Sequence, residues 1–153
     1  MYHCHMRIDE FRTGRHVVYK LHAHIVLTPK YRRRVMTEQV TDCLRESFED
    51  VCARYDATLD AFETDRDHAH LLVSYPPKVA LSKLVMSLKT VSSLQVRKHH
   101  WPEVTRALWG DHFWSPSYCV VSAGGAPLDI IKRYIEDQQS PNRQGRPPRS
   151  GRP

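Results

Sequence analysis

Two imidazoles placed two residues apart on an extended chain can grip one cation, and this sequence offers that spacing twice. His68 and His70 flank Ala69, and His22 and His24 flank Ala23. Side chains alternate across a strand, so each pair shares a face, its members about 6–7 Å apart along the backbone and within reach of one ion. Spacing alone does not say which pair binds. A third group, Tyr134-Ile135-Glu136-Asp137-Gln138, brings a phenol together with an amide: residues four apart on a helix share a face at about 6 Å. Each feature also has an ordinary structural explanation. Strand histidines are often packed or solvated, and a tyrosine beside the stripe Leu128, Ile131 and Ile135 can be the edge of an amphipathic helix.

These residues must be carried by regular elements. From His16 to Thr28 the chain alternates, with Val17, Tyr19, Leu21, Ala23, Ile25 and Leu27 on one side and Val18, Lys20, His22, His24, Val26 and Thr28 on the other. Period two predicts one strand with an apolar and a mixed face, closed by Pro29. Thr37 is placed to cap a helix in which Val40, Leu44, Phe48, Val51 and Tyr55 recur at helical spacing. Its other side carries Glu38, Asp42, Glu46, Glu49 and Asp50, a poor surface for DNA. Strands are predicted over Thr58–Thr64 and His68–Ser74; Ala69, Leu71 and Val73 should point into the core, away from His68 and His70. A second helix fits Ala80–His99, with Leu81, Leu84, Val85, Leu88 and Val91 inward. The segment Trp101–Trp114 reads as a loop packed on the core and Tyr118–Ser122 as a short strand. Ala123-Gly124-Gly125-Ala126 reads as a flexible joint before a helix from Pro127 to about Gln139.

That order predicts an α+β fold: a ferredoxin-like four-stranded antiparallel sheet with two helices on one face, plus a hinged C-terminal helix carrying Tyr134. First and third strands are neighbours in such a sheet, so His22 and His24 should share the face of His68 and His70. The expected organisation is an N-terminal extension over 1–15, one domain over 16–139 and a disordered basic tail over 140–153.

Composition narrows the partners. The 153 residues carry a net charge of +6, and Arg143, Arg146, Arg149 and Arg152 supply four of those charges in a segment without acids. A second cluster is Lys30, Arg32, Arg33 and Arg34, and further basic residues, Lys89 and Arg97 among them, lie between Lys78 and Lys98. Such clusters are an electrostatic footprint for phosphates. No apolar run approaches the ~20 residues that span a bilayer, and the N-terminus lacks a secretory layout. A cytoplasmic protein without a membrane partner is expected. Cys4, Cys43, Cys52 and Cys119 show no Cys-x-x-Cys spacing and read as ordinary thiols; His3-Cys4-His5 lacks a second half for a metal site.

Four separated motifs together resemble the HUH single-tyrosine transposases of the IS 200/605 insertion-sequence group. They are Thr28-Pro29-Lys30-Tyr31-Arg32, Asp67-His68-Ala69-His70-Leu71-Leu72-Val73, Trp114-Ser115-Pro116-Ser117-Tyr118-Cys119 and Tyr134-Ile135-Glu136-Asp137-Gln138. They fall in the family's order over about residues 16–139. The resemblance implies that His68 and His70 are the metal pair, Gln138 the third protein ligand and Tyr134 the nucleophile. It further implies single-stranded DNA with hairpin ends as substrate and a homodimer whose active sites mix residues from both subunits. Arg66 stands where relatives commonly have proline, and Ala69 is smaller than the usual valine or isoleucine; neither change removes a ligand. The Arg-rich tail is outside the family pattern.

The residue types suit that reaction. An ion on two neutral imidazoles and an amide oxygen keeps its charge and open positions for phosphate oxygens; Mg²⁺ or Mn²⁺ is the working ion expected for such a reaction, although imidazoles also accept transition metals. A tyrosine attacking phosphorus yields a 5′-phosphotyrosine link and a free 3′-hydroxyl, storing the bond energy for rejoining. The free phenol has a pKa of about 10 and must lose its proton as it attacks; no dedicated base stands out. Lys30, Arg32, Arg33, Arg34, Lys89 and Arg97 are the expected DNA contacts, with Tyr31, Trp109 or Phe113 as stacking surfaces. Other readings of the same residues are a domesticated palindrome-processing relative, a rolling-circle initiator or relaxase, and a non-enzymatic ferredoxin-like nucleic-acid binder.

Overall fold

The computed structural model describes residues 11–108 and 112–122. The expected hinge at 123–126, the helix bearing Tyr134 and Gln138, the tail, and Trp109 lie outside the described residues.

The described residues open with a small antiparallel ribbon, β1 (Arg12–Thr13) against β2 (Val18–Tyr19), closed by the Gly14 N–H donating to the Val17 carbonyl at 2.7 Å. Then come β3 (His22–Pro29), a 3₁₀ turn (Lys30–Arg32), α1 (Glu38–Arg54), β4 (Thr58–Asp65), β5 (His68–Ser74), α2 (Leu81–Lys98), α3 (Pro102–Ala107) and β6 (Trp114–Ser122). The four long strands form one sheet in the order β4-β5-β3-β6, every pair antiparallel. This is the expected ferredoxin-like arrangement.

One face of the sheet holds the core. Ala23, Ile25 and Leu27 of β3 and Ala69, Leu71 and Val73 of β5 are buried in one cluster with Val40, Leu44, Phe48 and Val51 of α1 and Leu84, Val85, Leu88 and Val96 of α2. Thr37 caps α1 as its type and position require: its Oγ1 accepts from the Val40 N–H at 3.4 Å. Burying this apolar surface is the main force assembling the domain. Alternation then commits His22, His24, His68, His70, Leu72 and Ser74 to the sheet face away from the helices.

Three elements differ from the sequence reading. The alternating run 16–28 is not one strand: Val18–Tyr19 pairs with Arg12–Thr13, and only His22–Pro29 enters the main sheet. Both faces of β3 are buried from His22 to Leu27, whereas Val17 and Val18 are exposed. Alternation records side-chain facing, not pairing partners, so it passes through the change of sheet unmarked. Within 101–114, the Pro at its first position and the burial of Val104 and Leu108 produce α3 instead of a bare loop. Finally, β6 starts at Trp114, four residues early. Ser115-Pro116-Ser117 hides the alternation, and Pro116 is tolerated because β6 is an edge strand.

Candidate active site

The third strand of the ferredoxin pattern, β5, presents His68 and His70 with ring centroids 6.2 Å apart, both rings nearly buried. Each ring is held by a carboxylate from the β4–β5 turn region. His68 Nδ1 lies 2.7 Å from Asp67 Oδ1, and His70 Nε2 lies 3.0 Å from Asp65 Oδ2. An ionised carboxylate only accepts, so each imidazole donates from the named nitrogen. A divalent cation at this place would be held by the imidazoles of His68 and His70. A carboxylate behind the imidazole fixes its tautomer and raises its basicity, the usual support of a metal-binding histidine. The pair therefore fits a divalent ion. Among the described residues no group of three or more His, Cys, Asp and Glu side chains is gathered for a metal. Any further protein ligand must come from another residue type or from outside the described residues, where Gln138 and Tyr134 lie.

Asp65 and Asp67 were not singled out as partners of the histidines. The available signal was the pairing of acids at the tight turn Asp65-Arg66-Asp67 that immediately precedes His68. Antiparallel pairing returns Asp65 directly opposite His68 and Glu63 opposite His70.

The rival pair is divided between two settings. His24 is fully buried, its ring stacked on His70 with centroids 5.6 Å apart. His22 turns instead to Ser74 and Asp60: Nδ1 is 2.9 Å from Ser74 Oγ and 3.4 Å from Asp60 Oδ2. The Ser74 hydroxyl donates to Asp60 at 2.5 Å, and Arg12 reaches both Thr58 (2.7 Å) and Asp60 (3.8 Å). Asp60 gets there because it is the extra residue of a bulge in β4, between Leu59 opposite Val73 and Ala61 opposite Leu72. The same bulge lets both Leu59 and Phe62 face the core, Phe62 meeting Phe48 edge-on at 5.4 Å.

The expected DNA contacts fall in two places. Lys30, Lys89 and Arg97 line one cavity of about 600 Å³ between α2 and the start of β6, with Met86, Leu94 and Tyr118 among its apolar walls. Arg32, Arg33 and Arg34 lie exposed in the loop after β3. Lys89 is partly committed: its ammonium donates to the Ser115 and Pro116 carbonyls at 2.7 and 3.0 Å and sits over the Tyr118 ring. Burial pushes its pKa below the usual lysine range. Phe113 is buried against Trp114 and cannot serve as a stacking surface, whereas Tyr31 is exposed. No helix among the described residues is long and apolar enough to cross a membrane.

Comparison with known proteins points one way. The family model described as "Transposase IS200 like" matches residues 17–138. The ISDra2 transposase TnpA of Deinococcus radiodurans is 33% identical over 129 residues, covering 84% of this chain and 91% of that protein. The transposase for insertion sequence element IS200 of Salmonella typhimurium is 27% identical over 119 residues, covering 76% and 78%. A crystal structure of a Deinococcus radiodurans R1 protein assigned as a transposase superposes with a TM-score of 0.69 at 32% identity, covering 83% of this chain and 97% of that one.

Proposed function

The chain belongs to the IS200-like transposase family, and from that premise we propose that it cuts and rejoins single-stranded DNA at insertion-sequence ends through a 5′-phosphotyrosine on Tyr134. The observation that carries the reading is the histidine pair of β5, its two imidazoles buried side by side and each backed by its own aspartate. Such support suits metal ligands.

In this reading His68 and His70 hold a magnesium or manganese ion with Gln138. The ion, when bound, supplies Lewis-acid polarisation of the scissile phosphate. Asp67 and Asp65 fix the tautomer of each ring and keep the rings aligned. Tyr134 Oη attacks phosphorus in line; the P–O3′ bond breaks as the Tyr–O–P bond forms, and the phenolic proton leaves as the 3′-oxygen gains one. A 3′-hydroxyl from another end reverses the exchange and joins the strands. One phosphoester is made for each one broken, so no nucleotide cofactor is needed.

The substrate of this reading is a single strand folded into a hairpin near each element end. Lys30, Arg32, Arg33, Arg34 and Arg97 attract its phosphates, as does the basic tail. Lys89 acts chiefly by tying α2 to the start of β6. We further propose a homodimer in which Tyr134 of one subunit serves the histidines of the other.

The direct test is incubation with single-stranded DNA from the flanks of the gene plus Mg²⁺, read on a denaturing gel. A covalent adduct should form with the natural chain and vanish with Tyr134→Phe, hairpin binding persisting. Adducts surviving in Tyr134→Phe would move the nucleophile elsewhere. Mixing His68→Ala with Tyr134→Phe chains tests sharing: heterodimers regain about one competent site only if the sites are composite.

A further inference from the structure

The turn that follows β3 stands in a conformation its residues do not favour. Tyr31 has φ 61° and Arg32 has φ 51°, two consecutive side-chain-bearing residues in the left-handed region. Glycine, asparagine and aspartate visit that region readily; tyrosine and arginine do so at a cost on the order of 1–2 kcal/mol each. The surrounding structure imposes it. Before the turn, the Lys30 N–H donates to the Phe113 carbonyl at 2.9 Å, just past the pairing of Pro29 with Trp114. After it, Val35 is fully buried in the core. Between these two anchors the chain is thrust outward.

What it thrusts outward is an aromatic ring among cations. Tyr31 is 63% exposed, and Arg32, Arg33 and Arg34 are all exposed beside it. The Lys30 ammonium lies over the tyrosine ring, 5.2 Å from its centroid. The run Thr28–Thr37 contains five cationic or aromatic residues in succession and no acid. Simple solubility does not require an aromatic there, and simple phosphate attraction does not require strain. The turn also sits at the end of the sheet where β5 begins, since Leu27 pairs with Ala69, one residue from each candidate metal ligand.

We propose that the Lys30–Arg34 turn is a nucleobase-binding finger: an unpaired base of the DNA strand stacks on the face of Tyr31 opposite Lys30, while Arg32, Arg33 and Arg34 meet the phosphates on either side. Aromatic stacking and a cation track are the two components of single-strand recognition, and every base has a face to stack. The inference rests on the reading that the substrate is single-stranded DNA. The strain holds the ring out in advance, so little ordering remains to be done on binding.

Replacing Tyr31 by asparagine separates the two components. Asn tolerates the left-handed backbone, so Tyr31→Asn should melt at the same temperature as the natural chain or higher. Its affinity for oligothymidine should nevertheless fall between about fivefold and a hundredfold, the range spanned by one lost base stack. Tyr31→Trp should keep affinity within about twofold. An abasic strand of equal length should bind the natural chain and Tyr31→Asn alike, because only the stack is missing. Equal binding of oligothymidine by Tyr31→Asn and the natural chain overturns the finger, as does an equal loss on the abasic strand. Hairpin-flank DNA that still forms the Tyr134 adduct in such a case leaves the functional reading standing. If the natural chain neither binds single strands nor forms the adduct, the functional reading falls, and the finger with it.

Discussion

His22-Ala23-His24 and His68-Ala69-His70 have the same spacing, lie on neighbouring antiparallel strands and face the same side of the sheet, yet their surroundings differ in kind. On β5 both rings stay together and each meets an aspartate that precedes the strand's start, Asp67 by one residue and Asp65 by three. On β3 the pair divides: His24 stacks on His70, while His22 joins a buried cluster with Ser74, Asp60 and Arg12. The lesson concerns where a strand's neighbours come from. His68 and His70 draw their acids from the adjoining turn and the facing end of β4, at the rim of the sheet where Asp65 meets solvent. His22 draws its acid from a bulge, and the result is a closed network that ties β3, β4, β5 and the N-terminal ribbon together. Identical spacing therefore gives a pair of aspartate-backed imidazoles at the rim of one strand and a structural clasp in the other.

The largest contrast should appear in cleavage. His68→Ala and His70→Ala are expected to lower single-strand cleavage by roughly three orders of magnitude or more, as loss of a group essential to catalysis does. His22→Ala should leave cleavage per folded molecule close to that of the natural chain. Gln138→Ala should fall between, an amide oxygen being the weaker ligand. Rates on flank DNA with Mn²⁺, corrected for the folded fraction, decide this. A reversed order would transfer the metal site to β3.

How much of this contrast could be read from the sequence follows from the range of the interactions. Helix α1 was legible because Thr37 and the spacing of Val40, Leu44, Phe48 and Val51 are local. The inward set Ala69, Leu71 and Val73 was legible for the same reason, and it placed His68 and His70 on the other face. The resemblance chose between the two histidine pairs; what could not be read locally was their different setting, which depends on Asp60 entering the network of His22 through a bulge, and strict alternation in Thr58–Asp65 would set Leu59 and Phe62 on opposite faces. The break after Tyr19 was hidden likewise, because β2 continues the alternation of β3 while pairing elsewhere. Tyr134 and Gln138 stood out by their helical spacing, their roles as nucleophile and ligand came only from the resemblance, and they lie outside the described residues.

A smaller contrast concerns metal affinity. Asp67→Asn and Asp65→Asn keep the shape of each partner but remove the charge that steadies the imidazole. Each should weaken Mn²⁺ binding by about 10–100-fold, measured by calorimetry without DNA, with little change in melting temperature. Asp60→Asn should leave Mn²⁺ affinity as it was. Equal effects from all three aspartates would erase the distinction between the rim and the clasp.

The clasp should reveal itself in stability instead. Asp60→Ala strips the acceptor from Ser74 and His22, leaving buried donors without it. The expected loss is about 1–3 kcal/mol. For a chain of this size that corresponds to a drop in melting temperature of roughly 2–4 °C per kcal/mol. Thermal denaturation followed by circular dichroism measures it. His68→Ala, at the rim, should shift the melting temperature less than Asp60→Ala does.

The smallest effect isolates the outer edge of the clasp. Arg12 is about one-third exposed, and its guanidinium donates to Thr58 Oγ1 at 2.7 Å while standing 3.8 Å from Asp60. Solvent screens such a pair, so the charge attraction contributes little beyond the hydrogen bond. Arg12→Ala should therefore destabilise by only about 0.2–1 kcal/mol, and Arg12→Lys should recover part of it, since an ammonium keeps the charge but lacks the planar fork. Raising salt should shrink the difference between the natural chain and Arg12→Ala, whereas the Asp60→Ala deficit, arising from buried donors, should persist. A salt-insensitive Arg12→Ala deficit as large as that of Asp60→Ala would mean that the N-terminal ribbon is an integral part of the core rather than a strap across its edge. The clasp would then extend to the first strands of the chain, and the contrast between the two histidine pairs would be one of whole-domain support against a local rim.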